Sequence, residues 1–125
     1  MPRNTTRLDH LLNVTVWAMA VAPTATTVLF VTYGAHARLA LGRWPHVYAD
    51  TLPGFIFQIY DWLVFFSLLF LIISLPTIGA VAIISRLRRP AIRIRWPAMI
   101  YALGWAALIA LNFLDPTGFM EWFRD

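Results

Sequence analysis

The chain has 125 residues, of which 60% are hydrophobic and only 13% are charged. Soluble domains carry roughly 25% charged residues, so this composition excludes an ordinary water-exposed surface. The formal charge of +4 comes from arginine without any lysine, which on so apolar a chain favours phospholipid headgroups over nucleic acid, while the lack of cysteine excludes disulfides and thiolate chemistry.

The first predicted membrane helix covers residues 11–35, a stretch without charged side chains. At about 1.5 Å per residue it can cross a hydrocarbon core roughly 30 Å thick. Arg3 and Arg7 precede it, and residues 20–22 resemble the cleavage site of a secretion signal. Pro23 follows that site directly and argues against cleavage, so we predict a helix that is retained.

Residues 36–61 form a predicted outer segment rich in helix breakers and aromatic side chains. Gly42, Pro45, Pro53 and Gly54 indicate an irregular path. Its amphipathic and apolar side chains favour the headgroup zone of a bilayer, so we expect the segment to lie on the membrane; they are Trp44, Val47, Tyr48, Phe55, Phe57 and Tyr60.

The second and third predicted helices cover residues 62–85 and 96–114, joined by a strongly basic loop. Because cytoplasmic segments carry the excess of arginine, this loop predicts an inner location for itself and for the N-terminus, and an outer C-terminus. We expect the loop either to bind anionic headgroups or only to orient the protein during insertion. Its arginines are Arg86, Arg88, Arg89, Arg93 and Arg95.

Residues 116–125 form a predicted short amphipathic helix at the interface, with Asp115 as its cap and Pro116 at its first position. Together these segments predict an all-α integral membrane protein. A single domain over residues 1–125 would cross a bacterial inner membrane three times.

Four alanines follow one another at every fourth position of the third predicted helix: Ala98, Ala102, Ala106 and Ala110. Small side chains let two helix backbones approach closely in lipid. The ridge therefore predicts close helix packing, either against the other helices of this chain or against another subunit.

Pro23 and Pro76 lie near the middle of the first and second predicted helices. Each removes a backbone donor and frees the carbonyl four residues earlier, at Met19 and Ile72, so we expect kinks there. Nearby hydroxyls could satisfy the freed carbonyls; the candidates are Thr24, Thr26, Thr27, Ser74 and Thr77.

Polar residues are expected to meet at the outer rim if the three helices pack together. A histidine close to a carboxylate can relay protons or bind a metal, which makes His36 with Asp61 the best chemical candidate. The alternative is that these residues only anchor loops at the helix ends. The predicted outer polar cluster contains His36, Arg38, Asp61, Asn112 and Asp115, with Thr32 and Gln58 beside them.

No spacing in the chain predicts a catalytic set, a metal site or a cofactor site. We therefore expect a small non-enzymatic subunit that assists or assembles a larger membrane complex, with other membrane subunits or further copies of itself as partners. The alternative is a protomer of an oligomeric transporter or channel, lined by the proline-kinked helices.

Overall fold

The computed structural model describes residues 7–45, 54–87 and 94–115 together with positions 118, 120 and 121. Regular structure there is helical, in four segments: α1 (Arg7–Ala20), α2 (Ala22–Leu41), α3 (Phe55–Leu87) and α4 (Arg95–Leu114). Since α1 and α2 follow each other directly, the described chain holds three helices long and apolar enough to cross a membrane. The predicted three-helix fold is confirmed.

The break between α1 and α2 is narrow. Val21 separates the two helices, and Pro23 occupies an early position of α2. The N–H of Val21 donates to the carbonyl of Trp17 at 3.2 Å, and the N–H of Ala25 donates to the carbonyl of Val21 at 2.9 Å. Backbone bonding therefore continues on both sides of the proline, so that α1 and α2 act as one membrane crossing.

The helices extend beyond the uncharged stretches that predicted them. α2 continues to Leu41, and α3 begins at Phe55, so both ends of the predicted 36–61 segment are helical. With 33 residues, α3 is about 50 Å long, well beyond a hydrocarbon core of roughly 30 Å. An uncharged stretch indicates only the part of a helix that lies in hydrocarbon, and the helix can continue beyond it. Residues 46–53 lie outside the described residues.

Buried and half-buried positions recur along every helix at alternating intervals of three and four residues. This seven-residue spacing is typical of helices that pack with a left-handed twist. The spacing continues across Val21 in the same register, so α1 and α2 present one continuous packing face. The positions are 9, 12, 16, 19, 23, 26, 30, 33 and 37 on α1 and α2, 57, 60, 64, 67, 71, 74, 78, 81 and 85 on α3, and 97, 101, 104, 108, 111 and 115 on α4.

The opposite faces of the helices are apolar and open. On α3, the side chains of Phe65, Phe66, Ile72 and Leu75 are all more than half exposed. Contiguous exposed apolar surface of this extent is unfavourable in water but natural in hydrocarbon. The core and the outer surface are therefore both apolar, which is the arrangement of a multi-pass membrane protein.

Candidate functional site

At the end of the bundle predicted to be outside, called the outer end, a hydrogen bond joins α2 and α3. The hydroxyl of Tyr33 donates to a carboxylate oxygen of Asp61 at 2.8 Å. Tyr33 is buried, whereas Asp61 is exposed at the surface of α3. The buried hydroxyl of Tyr33 therefore donates to a carboxylate that remains exposed at the protein surface.

His36 lies at the same end of the bundle but pairs with a different tyrosine. Its Nδ1 is 3.3 Å from the hydroxyl of Tyr60, and its ring packs against Phe57 at 5.3 Å between centroids. The rings of Tyr33 and Tyr60 stack, with centroids 4.9 Å apart and planes 7° apart. The predicted pair of His36 and Asp61 is therefore connected through two stacked tyrosines, and the described contacts link each of the two to its own tyrosine.

The remaining residues of the predicted outer polar cluster occupy separate places. The guanidinium of Arg38 lies 5.0 Å from the centre of the Trp44 ring, a distance typical of a cation–π contact. Asn112 is exposed on α4. Asp115 ends α4, and its carboxylate accepts the N–H of Glu121 at 3.1 Å. The cluster is thus spread over the rim around one compact group, Tyr33, His36, Phe57, Tyr60 and Asp61, which we name the outer aromatic cluster.

The C-terminal segment returns to the bundle at one described position. Met120 is buried and belongs to the main apolar core together with Phe30 and Leu108. Asp115, which is predicted to cap a helix in this segment, accepts the N–H of Glu121 through its carboxylate. The aromatic residues of this segment, at positions 119, 122 and 123, lie outside the described residues.

Two pairs of hydroxyl groups connect the helices inside the membrane. Thr26 on α2 and Ser67 on α3 are bonded at 2.5 Å, and Ser74 on α3 is 2.8 Å from the hydroxyl of Tyr101 on α4. Thr26 and Ser74 are completely buried. Hydrogen bonds of this kind add to van der Waals packing where water offers no competing partner.

Nearby hydroxyl groups were predicted to donate to the two carbonyls freed by proline, but the described bonds go to other carbonyls. Among the described bonds, Thr26 donates to Ala22, Thr27 to Pro23, Ser74 to Leu71 and Thr77 to Ile73. Neither freed carbonyl, of Met19 or of Ile72, receives one of these bonds. A hydroxyl reaches the carbonyl three or four residues before its own position, and none of the bonded residues has the required offset.

Among the described glycines, Gly104 marks a close backbone approach between α4 and the start of α2. A Cβ atom built on Gly104 would lie 2.7 Å from Oγ1 of Thr24, 2.9 Å from its backbone nitrogen and 3.0 Å from Cβ of Pro23. Real side chains do not tolerate such distances. Gly104 is therefore required for α4 to pack against Pro23, and sequence reasoning did not identify this residue.

The two prolines predicted to kink the helices have different surroundings. Pro23 is fully buried against α4, whereas Pro76 is exposed on α3. Neither proline lines the groove that the described residues form. A groove of about 520 Å³ runs instead along the side of α2 opposite Pro23, lined by Val21, Thr24, Ala25, Val28, Leu29, Thr32 and Ile100.

The alanine ridge lies mainly outside the bundle. Ala102, Ala106 and Ala110 are exposed, and Ala98 is half-buried. Two residues along an α-helix correspond to a rotation of about 200°, so Ala106 is almost opposite Gly104, which faces α2. Packing inside this chain does not account for the ridge.

At the end of the bundle predicted to be inside, the described residues include a buried charged side chain that the sequence did not indicate. Asp9 on α1 is only 7% exposed, near a small apolar cluster of Val16 and Val81. Of the predicted headgroup-binding arginines, Arg86 and Arg95 are exposed at the ends of α3 and α4. Arg88, Arg89 and Arg93 lie outside the described residues.

Within the described residues, no group of three or more histidine or carboxylate side chains is placed to hold a metal ion. The arrangement defines a class: a multi-pass membrane protein of three helices, with hydroxyl pairs in the membrane and an aromatic, charged cluster at one end. Comparison with models of known protein families, with curated proteins and with solved structures found no match.

Proposed function

We propose that this protein is a non-enzymatic accessory or assembly subunit of a larger membrane complex, and that it binds its partner through the alanine ridge of α4. The observation that carries the proposal is the exposure of Ala102, Ala106 and Ala110 on the side of the helix away from the core. A membrane helix gains little by presenting alanine to lipid, whereas small residues allow a neighbouring helix to approach closely.

The spacing of the ridge distinguishes it from the packing faces inside the bundle. Internal contacts alternate between three and four residues, while the ridge repeats strictly every fourth residue from Ala98 to Ala110. A four-residue repeat of small side chains is typical of helix pairs that cross with a right-handed twist. The ridge thus suits a helix that approaches from outside at a different angle from α2 and α3.

Native mass spectrometry after gentle extraction tests the proposal directly. We expect a complex that contains this chain with at least one different membrane subunit. Recovery of this chain alone, or only as a homo-oligomer, would contradict an accessory role.

Leucine substitutions on α4 test the surface. Ala102→Leu and Ala106→Leu together should reduce the recovered complex at least tenfold, because bulky side chains would separate the two helices. Ala107→Leu is the matched control, since Ala107 is exposed at the same depth but lies about 100° around the helix from Ala106. Loss of a solute flux in the double variant while all partners are retained would instead favour the oligomeric channel.

We propose further that the chain resides in a bacterial inner membrane with its N-terminus inside and its C-terminus outside. Support comes from the arginines, which concentrate in residues 1–7 and 86–95. Reporter fusions after Arg89 and after Asp125 should report opposite sides of the membrane. Signals on the same side would refute this topology.

A further inference from the structure

Trp105 carries a polar atom without a described partner. Its indole nitrogen is buried and has no hydrogen-bond partner among the described residues. The ring packs against the main core and lies edge-on to Tyr101, with centroids 6.2 Å apart. An indole N–H held in an apolar interior without an acceptor is costly, so this atom needs an explanation.

The hydroxyl pair of Thr26 and Ser67 lies at nearly the same depth as Trp105. Contact between Gly104 and Thr24 places Thr26 about one residue from the level of Trp105, roughly 1.5 Å along the axis. The bond between Ser74 and Tyr101 places Ser67 about three residues from that level, roughly 4.5 Å. Trp105 also follows Tyr101 by four residues, so its side chain lies on the same face of α4 as the tyrosine that reaches Ser74 on α3.

Ser67 has unused capacity to accept a hydrogen bond. The single hydroxyl hydrogen of Thr26 is donated to the carbonyl of Ala22 at 2.8 Å. The hydrogen between Thr26 and Ser67 must therefore come from Ser67. In the described set of bonds, Ser67 donates without accepting, while the indole of Trp105, at a similar depth, has a donor without an acceptor.

We propose that one ordered water molecule bridges the indole N–H of Trp105 to Oγ of Ser67 in the centre of the bundle. The water accepts from the indole and donates to the serine, which satisfies both groups. Buried waters typically make two to four such bonds to polar groups that the protein leaves unpaired. The inference is independent of the alanine ridge, because it rests on the half-buried side chain of Trp105 and not on the exposed alanines.

The first test is a search for contact between water and the indole proton by NMR, with the ¹⁵N-labelled chain in bicelles. The Trp105 signal is assigned by its loss in Trp105→Phe. We expect a water cross-peak at this proton and none at the backbone N–H of Leu108, a buried control one turn away. Absence of the cross-peak at Trp105 would overturn the proposal.

The second test asks whether the water is bound to Ser67. We expect the cross-peak to disappear in Ser67→Ala and to weaken in Ser67→Cys, which keeps a similar size if the alanine variant does not fold. In a double-mutant cycle, Trp105→Phe and Ser67→Ala should be coupled by about threefold or more in the unfolding equilibrium constant.

Additive effects, or a cross-peak that persists in Ser67→Ala, would show that the bridge to Ser67 does not exist. Coupling of Trp105→Phe to Tyr101→Phe, without coupling to Ser67→Ala, would also contradict the bridge to Ser67. It would identify the Tyr101 hydroxyl as the acceptor of the indole hydrogen bond. Coupling to Ser67→Ala without any water cross-peak would indicate a direct hydrogen bond between Trp105 and Ser67, and would contradict the proposed bridging water.

Discussion

α2 makes two contacts that differ in kind. In its N-terminal part, Pro23 and Thr24 lie against the bare backbone of Gly104, and the contact depends on the absence of a side chain. In its C-terminal part, Tyr33 reaches α3 through a stacked ring and a hydrogen bond to Asp61. The first contact is sensitive to volume, and the second is sensitive to chemical identity.

The difference teaches how three helices can be held in place without a hydrophobic driving force between them. Lipid is as apolar as the core, so close approach and hydrogen bonds must provide the specificity. Close approach fixes how near α4 comes to α2. The outer aromatic cluster fixes the alignment of α2 with α3, because its donors and acceptors pair in only one register.

The largest effect is expected at the contact that depends on volume. Gly104→Ala should destabilise the bundle by about 2–3 kcal/mol, since the new Cβ would meet the backbone of Thr24, which cannot rotate away. Denaturation of the purified protein in mixed micelles measures the change. Gly79→Ala is the matched control, because a Cβ there meets nothing within 4 Å, and it should stabilise by about 0.5–1 kcal/mol through helix propensity. Equal effects at both glycines would remove the argument for close approach.

A smaller effect is expected where chemical identity matters. Tyr33→Phe keeps the stacked ring but removes the bond to Asp61, and should cost about 1 kcal/mol in the same assay. Tyr60→Phe removes only the longer contact with His36 and should cost less. If Tyr60→Phe were the more damaging variant, the outer contact would depend on the histidine rather than on the carboxylate.

The hydroxyl pair between α3 and α4 should contribute less again. Ser74→Ala leaves the Tyr101 hydroxyl without its described partner, and hydrogen bonds between membrane helices average about 0.6 kcal/mol. Tyr101→Phe should cost a similar amount, and the double variant should cost little more than either one. Fully additive losses would mean that the two groups do not form a pair.

The smallest effect is expected on the alanine ridge. Ala106→Leu should change the stability of the isolated protein by less than about 0.5 kcal/mol, because Ala106 is exposed and lies outside the bundle. A loss as large as that of Gly104→Ala would place the ridge inside the folded chain. That outcome would remove the surface on which the proposed partner docks.

The membrane crossings were predictable because hydrocarbon excludes charge over a fixed thickness. This is why residues 62–85 predicted most of α3. The helix ends were not predictable by the same rule, since the charged residues Asp61 and Arg86 also lie within α3. Aromatic residues were equally ambiguous: Phe57 suits an interface by its type, yet it is buried in the core.

The inward faces could not be found from hydropathy, since core and lipid are both apolar. A signal was present in the polar side chains of α3, where Tyr60, Ser67 and Ser74 are seven residues apart and all face inward. Such a repeat marks the buried edge of a membrane helix. Gly104 had no comparable signal, because its role depends on where Thr24 lies in three dimensions.

The uninterrupted edge across Val21 has a mechanical consequence. Pro23 leaves the turn before it one hydrogen bond short, which makes bending easy at that point. Because the contact positions keep their phase on either side, bending there tilts α1 without rotating it about its own axis. The first crossing can therefore bend at Pro23 while α1 keeps the same face towards the neighbouring helices.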